Sequence, residues 1–301
     1  MQQWRRRQNA VYIGFILPAA AFFTAFFIVP FAESLWLSFT DAYGYNPEQH
    51  FVGLRNYREA LTNPAFRSAL WVTVKYTVFV TLGANLTALA LALLLDGNVH
   101  CKKLFRAVFF LPNLMSLVIV SFVWVFLYGS VYRSFVSMLN IPEAWQISWL
   151  GNRRQALYSM GFTAIWQCAG YYMLIYIAGL QAVPEDMLEA ARIDGASSWK
   201  TLWYITIPNV MPSITICTFL SLTNGFKLYD QNLALTAGSP FKTLADGNVI
   251  KTTEMLALNI VSSNTSNSKG PGQAKAVVFF ILVAVIGLLQ LAATRKKEVD
   301  Q

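Results

Sequence analysis

Polar side chains at helical spacing occur within two of the chain's long apolar segments, where they could take part in chemistry. Gln167 and Tyr171 are four residues apart in one segment, and Ser221 and Asn224 are three apart in the next. Residues three or four apart share one face of a helix. Amide, hydroxyl and phenol groups can hydrogen-bond to a polar solute, and an aromatic ring adds a flat apolar face. Hydrogen bonding between helices is the alternative role for such residues inside a membrane.

A charged loop, Pro184–Pro208, separates these two segments and is the second candidate for function. It holds six charged residues, and each would be costly at the centre of a bilayer, so the loop lies on one side of a membrane. Pro184 suits the first position of a helix, and Gly195 permits the positive φ that ends one. Ser197 or Ser198 can cap a second helix. The loop therefore predicts two short helices joined by a glycine turn.

The surface of this predicted helix pair suits docking into a groove on another protein. Ala190 and Ala191 have high helix propensity and little bulk. Glu189 and Arg192 lie one helical turn apart and add one charge of each sign. An ordinary amphipathic loop with no partner is the alternative interpretation.

Motifs for nucleotide binding and for common hydrolytic chemistry do not occur in the sequence. There is no Gly–Lys pair and hence no P-loop, and there is no HExxH, CxxC or GxSxG pattern. The acidic residues lie almost wholly in loops, so the apolar segments hold no carboxylate chain for a proton relay. We therefore expect a protein that is not an enzyme, that binds no cofactor itself, and that receives its energy from a partner docked on the charged loop.

The composition is that of a polytopic membrane protein. Hydrophobic residues make up 55% of the 301 residues, charged residues only 13%, and the mean hydropathy is +0.45. A soluble domain would carry about 25% charged residues. The net charge of +8 comes from Lys and Arg scattered over loops, without the aromatic-lined basic stripe of a nucleic-acid surface, so we expect no nucleic acid partner.

We predict an all-α protein with six transmembrane helices. The domain plan has a basic N-terminus at 1–10, a six-helix domain at 11–294 that includes the charged loop at 184–208, and a basic tail at 295–301. Pro112 and Asn113 predict a kink near the start of the third span. The predicted spans are 11–31, 70–95, 107–128, 156–182, about 210–234 and 274–294.

Lys and Arg residues are concentrated on one side of this predicted topology. The inner segments hold 11 of them in 55 residues, and the outer loops hold nine in 103 residues. The positive-inside rule then makes both termini and the charged loop cytoplasmic. The inner segments are 1–10, 96–106, 183–209 and 295–301, and the outer loops are 32–69, 129–155 and 236–273.

The charged loop carries a resemblance to a known family. Its order of Glu189-Ala190-Ala191, then Gly195, then Ile205 and Pro208 resembles the EAA loop of ABC importer permeases, although Ile207 stands where that family usually has Leu. Other segments are similar to the first of the two permeases in maltose, multiple-sugar and glycerol-phosphate importers. These segments are Gly53–Tyr57, Phe105–Pro112, Phe226–Asp230, Leu235–Pro240 and Thr253–Ile260.

This resemblance implies the type I ABC importer permease fold, with the loop acting as a cytoplasmic coupling loop. It also implies a multi-pass protein of a bacterial inner or plasma membrane, in contact with lipid. The expected partners are a second permease subunit, two ABC ATPase subunits that hold ATP and Mg²⁺, and an extracellular solute-binding protein that delivers a sugar. ATPase coupling would fall to Glu189, Ala190, Ala191, Asp194, Gly195, Ile205 and Pro208.

The resemblance also implies which residues line the substrate pathway. Tyr171 and Ser221 align with positions where maltose-type permeases contact sugar, and Gln167 and Asn224 lie beside such positions. Two alternatives stay open at this point. The solute could be an amino acid, a peptide or a glycerophosphodiester, or the chain could be an ion-coupled secondary transporter whose loop resembles the EAA pattern by coincidence.

Overall fold

Helices dominate the computed structural model, which describes residues 2–44, 49–97, 99–142, 146–245, 247–266 and 269–295. The chain divides into two compact units, Met1–Asn63 with Ile260–Phe280, and Pro64–Asn259 with Ile281–Gln301. The basic tail predicted after Arg295 lies outside the described residues.

The first unit is built from the N-terminal segment, Met1–Asn63, and from a segment much later in the sequence, Ile260–Phe280. A π-helical turn, Thr24–Ile28, joins its first two helices. Asn56 Nδ2 donates to the carbonyl oxygens of Ser38 (2.9 Å) and Thr40 (2.7 Å) and so holds the chain that follows the second helix. The backbone N–H of His50 donates to Asp41 Oδ1 (2.6 Å) and lowers the pKa of that carboxyl. The helices are α1 (Gln2–Phe23), α2 (Val29–Leu37) and α3 (Arg55–Thr62), with parts of α14 (Leu256–Thr265) and α15 (Lys269–Arg295).

The second unit contains the longest helix of the described chain and a succession of shorter, broken ones. Irregular turns of 3₁₀ or π type connect several of them. Its elements are α4 (Pro64–Asp96), α5 (Lys102–Phe110), α6 (Leu117–Phe126), α7 (Tyr132–Met138), α8 (Arg153–Gln181), α9 (Glu185–Ile193), α10 (Ser198–Thr201), α11 (Ile207–Asn209), α12 (Met211–Lys227), α13 (Asp230–Leu235), β1 (Phe241–Thr243) and β2 (Val249–Lys251).

The core of the second unit is the packing of α4 against α8. Ala84, Ala88 and Ala92 form a stripe four residues apart on α4, and all three are fully buried. Small residues at this spacing let two helix backbones approach closely inside a membrane. Large α8 side chains such as Met173 and Tyr176 fill the space beside the stripe. The two helices form the frame on which the other elements are placed.

Membrane-spanning helices match the prediction only in part. Among the described residues, four helices are long and apolar enough to cross a membrane, or five if the bent pair Ser198–Asn209 and Met211–Lys227 counts as one span. The helix α8 is long but does not reach the same hydropathy. The four are Gly14–Leu37, Pro64–Asp96, Leu117–Met138 and Lys269–Thr294.

The predicted third span, 107–128, is wrong in its boundaries. The helix expected to kink at Pro112 instead ends at Phe110, and a 3₁₀ turn and two extended residues follow before Leu117. The long apolar helix then continues to Met138, well into the predicted outer loop 129–155. Proline removes a backbone donor, and the following Asn113 favours a turn, so helix geometry is lost rather than bent. Trp145 in this predicted loop, a residue type that suits a membrane interface, is outside the described residues.

The all-α prediction needs one correction. The loop after α13 forms a two-stranded antiparallel hairpin in which Phe241 pairs with Lys251 and Thr243 with Val249. Asn232 holds the chain beyond it, because its Nδ2 donates to the Thr253 carbonyl (2.8 Å) and its Oδ1 accepts from Met255 N–H (3.0 Å). The described part of the predicted outer loop 236–273 therefore contains regular secondary structure.

Overpacking of the α4–α8 contact tests this description of the core. We expect Ala88→Leu to lower stability by about 1–3 kcal/mol, because the fully buried site has no room for three more carbon atoms. Thermal unfolding of the detergent-purified protein, followed by size-exclusion chromatography, measures the change. Ala90→Leu is the matched control, because Ala90 is exposed on the same helix. Equal melting temperatures for the two variants would contradict the packing described.

Candidate functional site

A cavity of about 400 Å³ lies in the second unit where two helices are interrupted. The first interruption follows α5, where Met115 and Ser116 are extended. The second follows α12, where Leu228 is extended before α13 begins. Interrupted helices place polar backbone and side-chain groups at membrane depth, and in transporters they line solute sites. The polar lining residues are Tyr76, Asn113, Gln167, Tyr172, Ser221, Asn224, Lys227, Tyr229, Asp230 and Gln231.

Gln167 joins α8 to the first interruption. Its Nε2 donates to the carbonyl oxygen of Met115 at 3.1 Å, so one freed backbone acceptor is satisfied. The side chain lines the cavity, and its Oε1 is buried and has no hydrogen-bond partner. The predicted pathway residue Gln167 is therefore both a structural brace and a part of the cavity wall.

Ser221 lines the same cavity but already belongs to a hydrogen-bond network. Asn85 Nδ2 donates to Ser221 Oγ (3.0 Å), and Tyr176 Oη donates to Asn85 Oδ1 (2.6 Å). Ser221 Oγ itself donates to the carbonyl oxygen of Thr218 (3.1 Å). The network ties α4, α8 and α12 together, so the hydroxyl of Ser221 has a structural role beside any contact with solute.

Tyr76 and Gln231 are lining residues that sequence reasoning missed. Tyr76 Oη donates to Gln231 Oε1 at 3.1 Å, and both side chains are fully buried. Gln231 lies in the short helix α13, which the sequence suggests is the end of a continuous fifth span. A tyrosine alone in an apolar span gives no sequence signal. The helix break at Leu228 turns Gln231 toward α4, and only the three-dimensional structure reveals the pair.

The remaining predicted pathway residues lie in two places. Asn224 lines the cavity and is exposed, as are the charged lining residues Lys227 and Asp230. Tyr171 is 38% exposed and stands outside the lining residues, with its ring 5.6 Å from that of Tyr172. The structure thus brings Gln167, Ser221 and Asn224 together and leaves Tyr171 on the outer side of α8.

The charged loop has the predicted helix–glycine–helix form. The helix α9 ends in a Schellman motif, in which the N–H of Ala196 donates to the Ala191 carbonyl (2.9 Å) and that of Gly195 to the Arg192 carbonyl (3.1 Å). Gly195 has φ +72°, the left-handed conformation that the motif requires. Ser197 caps the next helix by accepting from Lys200 N–H (3.4 Å). That helical run ends at Asn209, one residue after Pro208, and the next helix, α12, is bent from it by 67°.

Predicted coupling residues divide into anchors and exposed positions. Ala191 is buried, and Ile205 packs against the α4–α8 core together with Leu188. Pro208 is half-buried. The exposed coupling residues are Glu189, Ala190, Asp194 and Gly195, and large exposed apolar side chains lie beside them: Ile193, Trp199 and Tyr204. The loop is thus fixed to the helical frame on one side and offers a mixed apolar and acidic surface on the other.

Comparison with known proteins gives consistent similarities. The family model for the binding-protein-dependent transport system inner membrane component matches residues 84–299. The chain is 35% identical over 287 residues to a probable starch degradation products transport system permease protein of Thermoanaerobacterium thermosulfurigenes, covering 95% of this chain and 94% of that protein. It is 31% identical over 276 residues to a multiple sugar-binding transport system permease protein of Streptococcus mutans, covering 91% of each.

A solved structure shares the fold. It is a chain of a bacterial alginate ABC transporter in complex with an alginate pentasaccharide-bound periplasmic protein, with a TM-score of 0.81, 17% identity and 98% coverage of both chains. At that identity the likeness concerns the fold alone.

Gly170 tests the placement of the first helix interruption. A Cβ at this position would overlap the carbonyl group of Phe109, so α5 reaches α8 only because Gly170 has no side chain. We expect Gly170→Ala to displace the end of α5 and to cost about 1–3 kcal/mol of stability. Gly287→Ala is the control, because its Cβ would meet only Phe219 at an ordinary 3.5 Å. A melting temperature for Gly170→Ala no lower than that of Gly287→Ala would contradict the close approach.

Proposed function

The chain belongs to the binding-protein-dependent transport system inner membrane component family, and on that basis we propose that it is the permease subunit of an ATP-driven importer of a sugar or oligosaccharide. The observation that carries the proposal is the cavity at the two helix interruptions, whose lining combines uncharged hydrogen-bonding groups and aromatic rings with apolar side chains and with one charge of each sign, Lys227 and Asp230. Such walls suit a neutral, hydroxyl-rich solute, because amides and hydroxyls pair with hydroxyls at no cost in buried charge. Two sugar-transport permeases among the relatives support the same solute class.

Six membrane spans follow if α8 is added to the four apolar helices and the bent pair. The helix has 29 residues, or about 43 Å at 1.5 Å per residue, which exceeds a hydrocarbon core of about 30 Å. Its lower hydropathy is explained by the polar residues that face the cavity and neighbouring helices, among them Gln167 and Tyr172. An even number of spans would place both termini in the cytoplasm, as the distribution of basic residues favours.

The proposed substrate pathway runs through Gln167, Ser221 and Asn224 in the cavity, with Tyr171 on the exposed side of α8. An exposed tyrosine there would complete the pathway from outside the cavity, beside a second permease subunit. In this proposal the solute arrives from an extracellular binding protein and meets both exposed and buried polar groups. The chain performs no chemistry on it.

Transport would be coupled to ATP hydrolysis at the charged loop. Two ABC ATPase subunits, which bind ATP and Mg²⁺, would each receive one such loop, one from this chain and one from the partner permease. The exposed Glu189, Ala190 and Gly195 would enter the ATPase groove, while Leu188 and Ile205 hold the loop to the α4–α8 core. Closure of the ATPases would then move α8 and its cavity residues with the loop. That movement requires the ATPases to bind the loop differently in their two states.

Gentle affinity purification from the native membrane tests the whole proposal. We expect the tagged chain to co-purify with an ATPase and a second permease, because the exposed apolar side chains of the loop need a partner surface. Mass spectrometry identifies the proteins, and addition of maltose or maltotriose to vesicles tests uptake. A chain that purifies alone and whose vesicles take up solute with an ion gradient would favour a secondary transporter instead.

Substitutions at the coupling loop test its role separately. We expect Gly195→Val to assemble in the membrane but to uncouple ATP hydrolysis from uptake, because a β-branched residue at φ +72° would strain the turn by roughly 1–2 kcal/mol. No atom lies within 4 Å of a Cβ at Gly195, so the effect would come from the backbone alone. Glu189→Lys should uncouple as well, by reversing an exposed charge.

Gly195→Asn is the matched control for the coupling test, since Asn tolerates a positive φ. It should retain most uptake per ATP hydrolysed. Normal uptake in both Gly195→Val and Glu189→Lys would remove the coupling role from this loop.

A further inference from the structure

Two buried polar atoms in the cavity wall lack a hydrogen-bond partner. They are Gln167 Oε1 and Gln231 Nε2, and they are the only such atoms among the described residues that line this cavity. Gln167 is 5% exposed and Gln231 is fully buried. An unsatisfied buried polar group costs about 1–3 kcal/mol, so its retention in a cavity wall requires a reason. A solute that supplies the missing hydrogen bonds is such a reason.

The hydrogen bonds that the two amides make show which atom of each remains unpaired. The carbonyl oxygen of Met115 can only accept, so Gln167 must direct its Nε2 there and leave its Oε1 as a free acceptor. Gln231 accepts from the phenol of Tyr76 through Oε1, which leaves its Nε2 as a free donor. The buried part of the wall thus presents one acceptor and one donor. Hydroxyl groups, which both donate and accept, complement this combination.

Exposed lining residues are less suited to set the selectivity. Asn224, Lys227 and Asp230 are accessible to solvent, so contact with a solute replaces a bond to water and gains little. The buried hydroxyl of Ser221 already donates to Thr218 and accepts from Asn85. Gln231 differs from all of these because it is buried and has an unused donor.

We propose that Gln231, oriented by Tyr76, is a selectivity-determining residue that donates from Nε2 to a hydroxyl group of the solute, while Gln167 Oε1 accepts from a hydroxyl of the same solute. This inference rests on the proposed import function and assigns the preference for uncharged, polyhydroxylated molecules to these two amides. A carboxylate or phosphate would present only acceptors to the oxygen of Gln167 and would lose that hydrogen bond.

Uptake kinetics of the intact importer test the proposal. The importer is reconstituted with its binding protein, partner permease and ATPase, and radiolabelled maltose, maltotriose, trehalose and raffinose are supplied in turn. For the sugar that the wild type imports, Gln231→Met should raise the apparent KM about ten-fold, the cost of one lost hydrogen bond. Met keeps the size and flexibility of the side chain and removes its donor.

Two further variants separate contact with the solute from structural support. Tyr76→Phe removes the bond to Gln231 Oε1 and leaves Nε2 in place, so it should change KM less than Gln231→Met does. Gln290→Met is the matched control, because Gln290 in α15 also has a buried unpaired amide oxygen but does not line the cavity. It should leave KM unchanged.

The possible outcomes separate the role proposed for Gln231 from the proposed function of sugar import. A wild-type importer that transports none of the four sugars contradicts the proposed function. A wild type that transports one of them, with Gln231→Met at the same KM, overturns the role of Gln231 and leaves the function standing. Equal losses in Tyr76→Phe and Gln231→Met for every transported sugar, with equally lowered melting temperatures, would overturn it too, since the pair would then act only as a structural brace. Vesicle content of each variant, measured by immunoblot, normalises the rates.

Discussion

The hydrogen bond from Gln167 Nε2 to the carbonyl oxygen of Met115 is the interaction on which the site depends. A bilayer offers no water to satisfy the backbone groups that a broken helix releases, so those groups must find partners within the protein. The extended residues after α5, just before the apolar helix Leu117–Met138, are tolerable beside a bilayer because α8 supplies such a partner. The same bond fixes the direction of the Gln167 amide and thereby places its oxygen in the cavity wall. The hydrogen bond that stabilises the helix break therefore also determines which polar group Gln167 presents in the cavity wall.

Close helix packing makes that bond possible. Gly170 lets α5 reach α8, and the alanine stripe lets α4 pack closely against α8. The network of Asn85, Tyr176 and Ser221 then joins α12 to the frame without a charged group. Because Leu188 and Ile205 pack against the same core, the charged loop and the cavity are attached to one continuous body of side chains. In the proposed transport cycle, a displacement of the loop would therefore reach the cavity through packed contacts.

Structural features that depend only on adjacent residues could be predicted from the sequence. The glycine turn and the serine cap of the charged loop could be predicted because each depends on a few adjacent residues, and the structure confirms their geometry. The third span and the end of the fifth were misplaced because hydropathy does not register where a helix breaks inside an apolar segment. Gln231 was missed for the same reason, since its partner Tyr76 is distant in sequence and the two meet only after α12 ends. The hairpin after α13 depends on Asn232 bridging distant backbone groups, which local propensity does not reveal.

Hydropathy is least able to identify the membrane-spanning helices that carry the proposed substrate pathway. The four helices that qualify on their own as membrane spans contribute few polar lining residues to the cavity, with Tyr76 on α4 as the main exception. The helix α8 is not apolar enough to qualify as a membrane span, and α12 qualifies only as part of the bent pair. These two helices carry Gln167, Tyr172, Ser221 and Asn224. A helix that must present amides and hydroxyls to a solute cannot also be uniformly apolar, so its polar residues have to be shielded from lipid by neighbouring helices. The less apolar spans of such a chain are therefore the ones to search first for substrate contacts, and their lower hydropathy reflects that role.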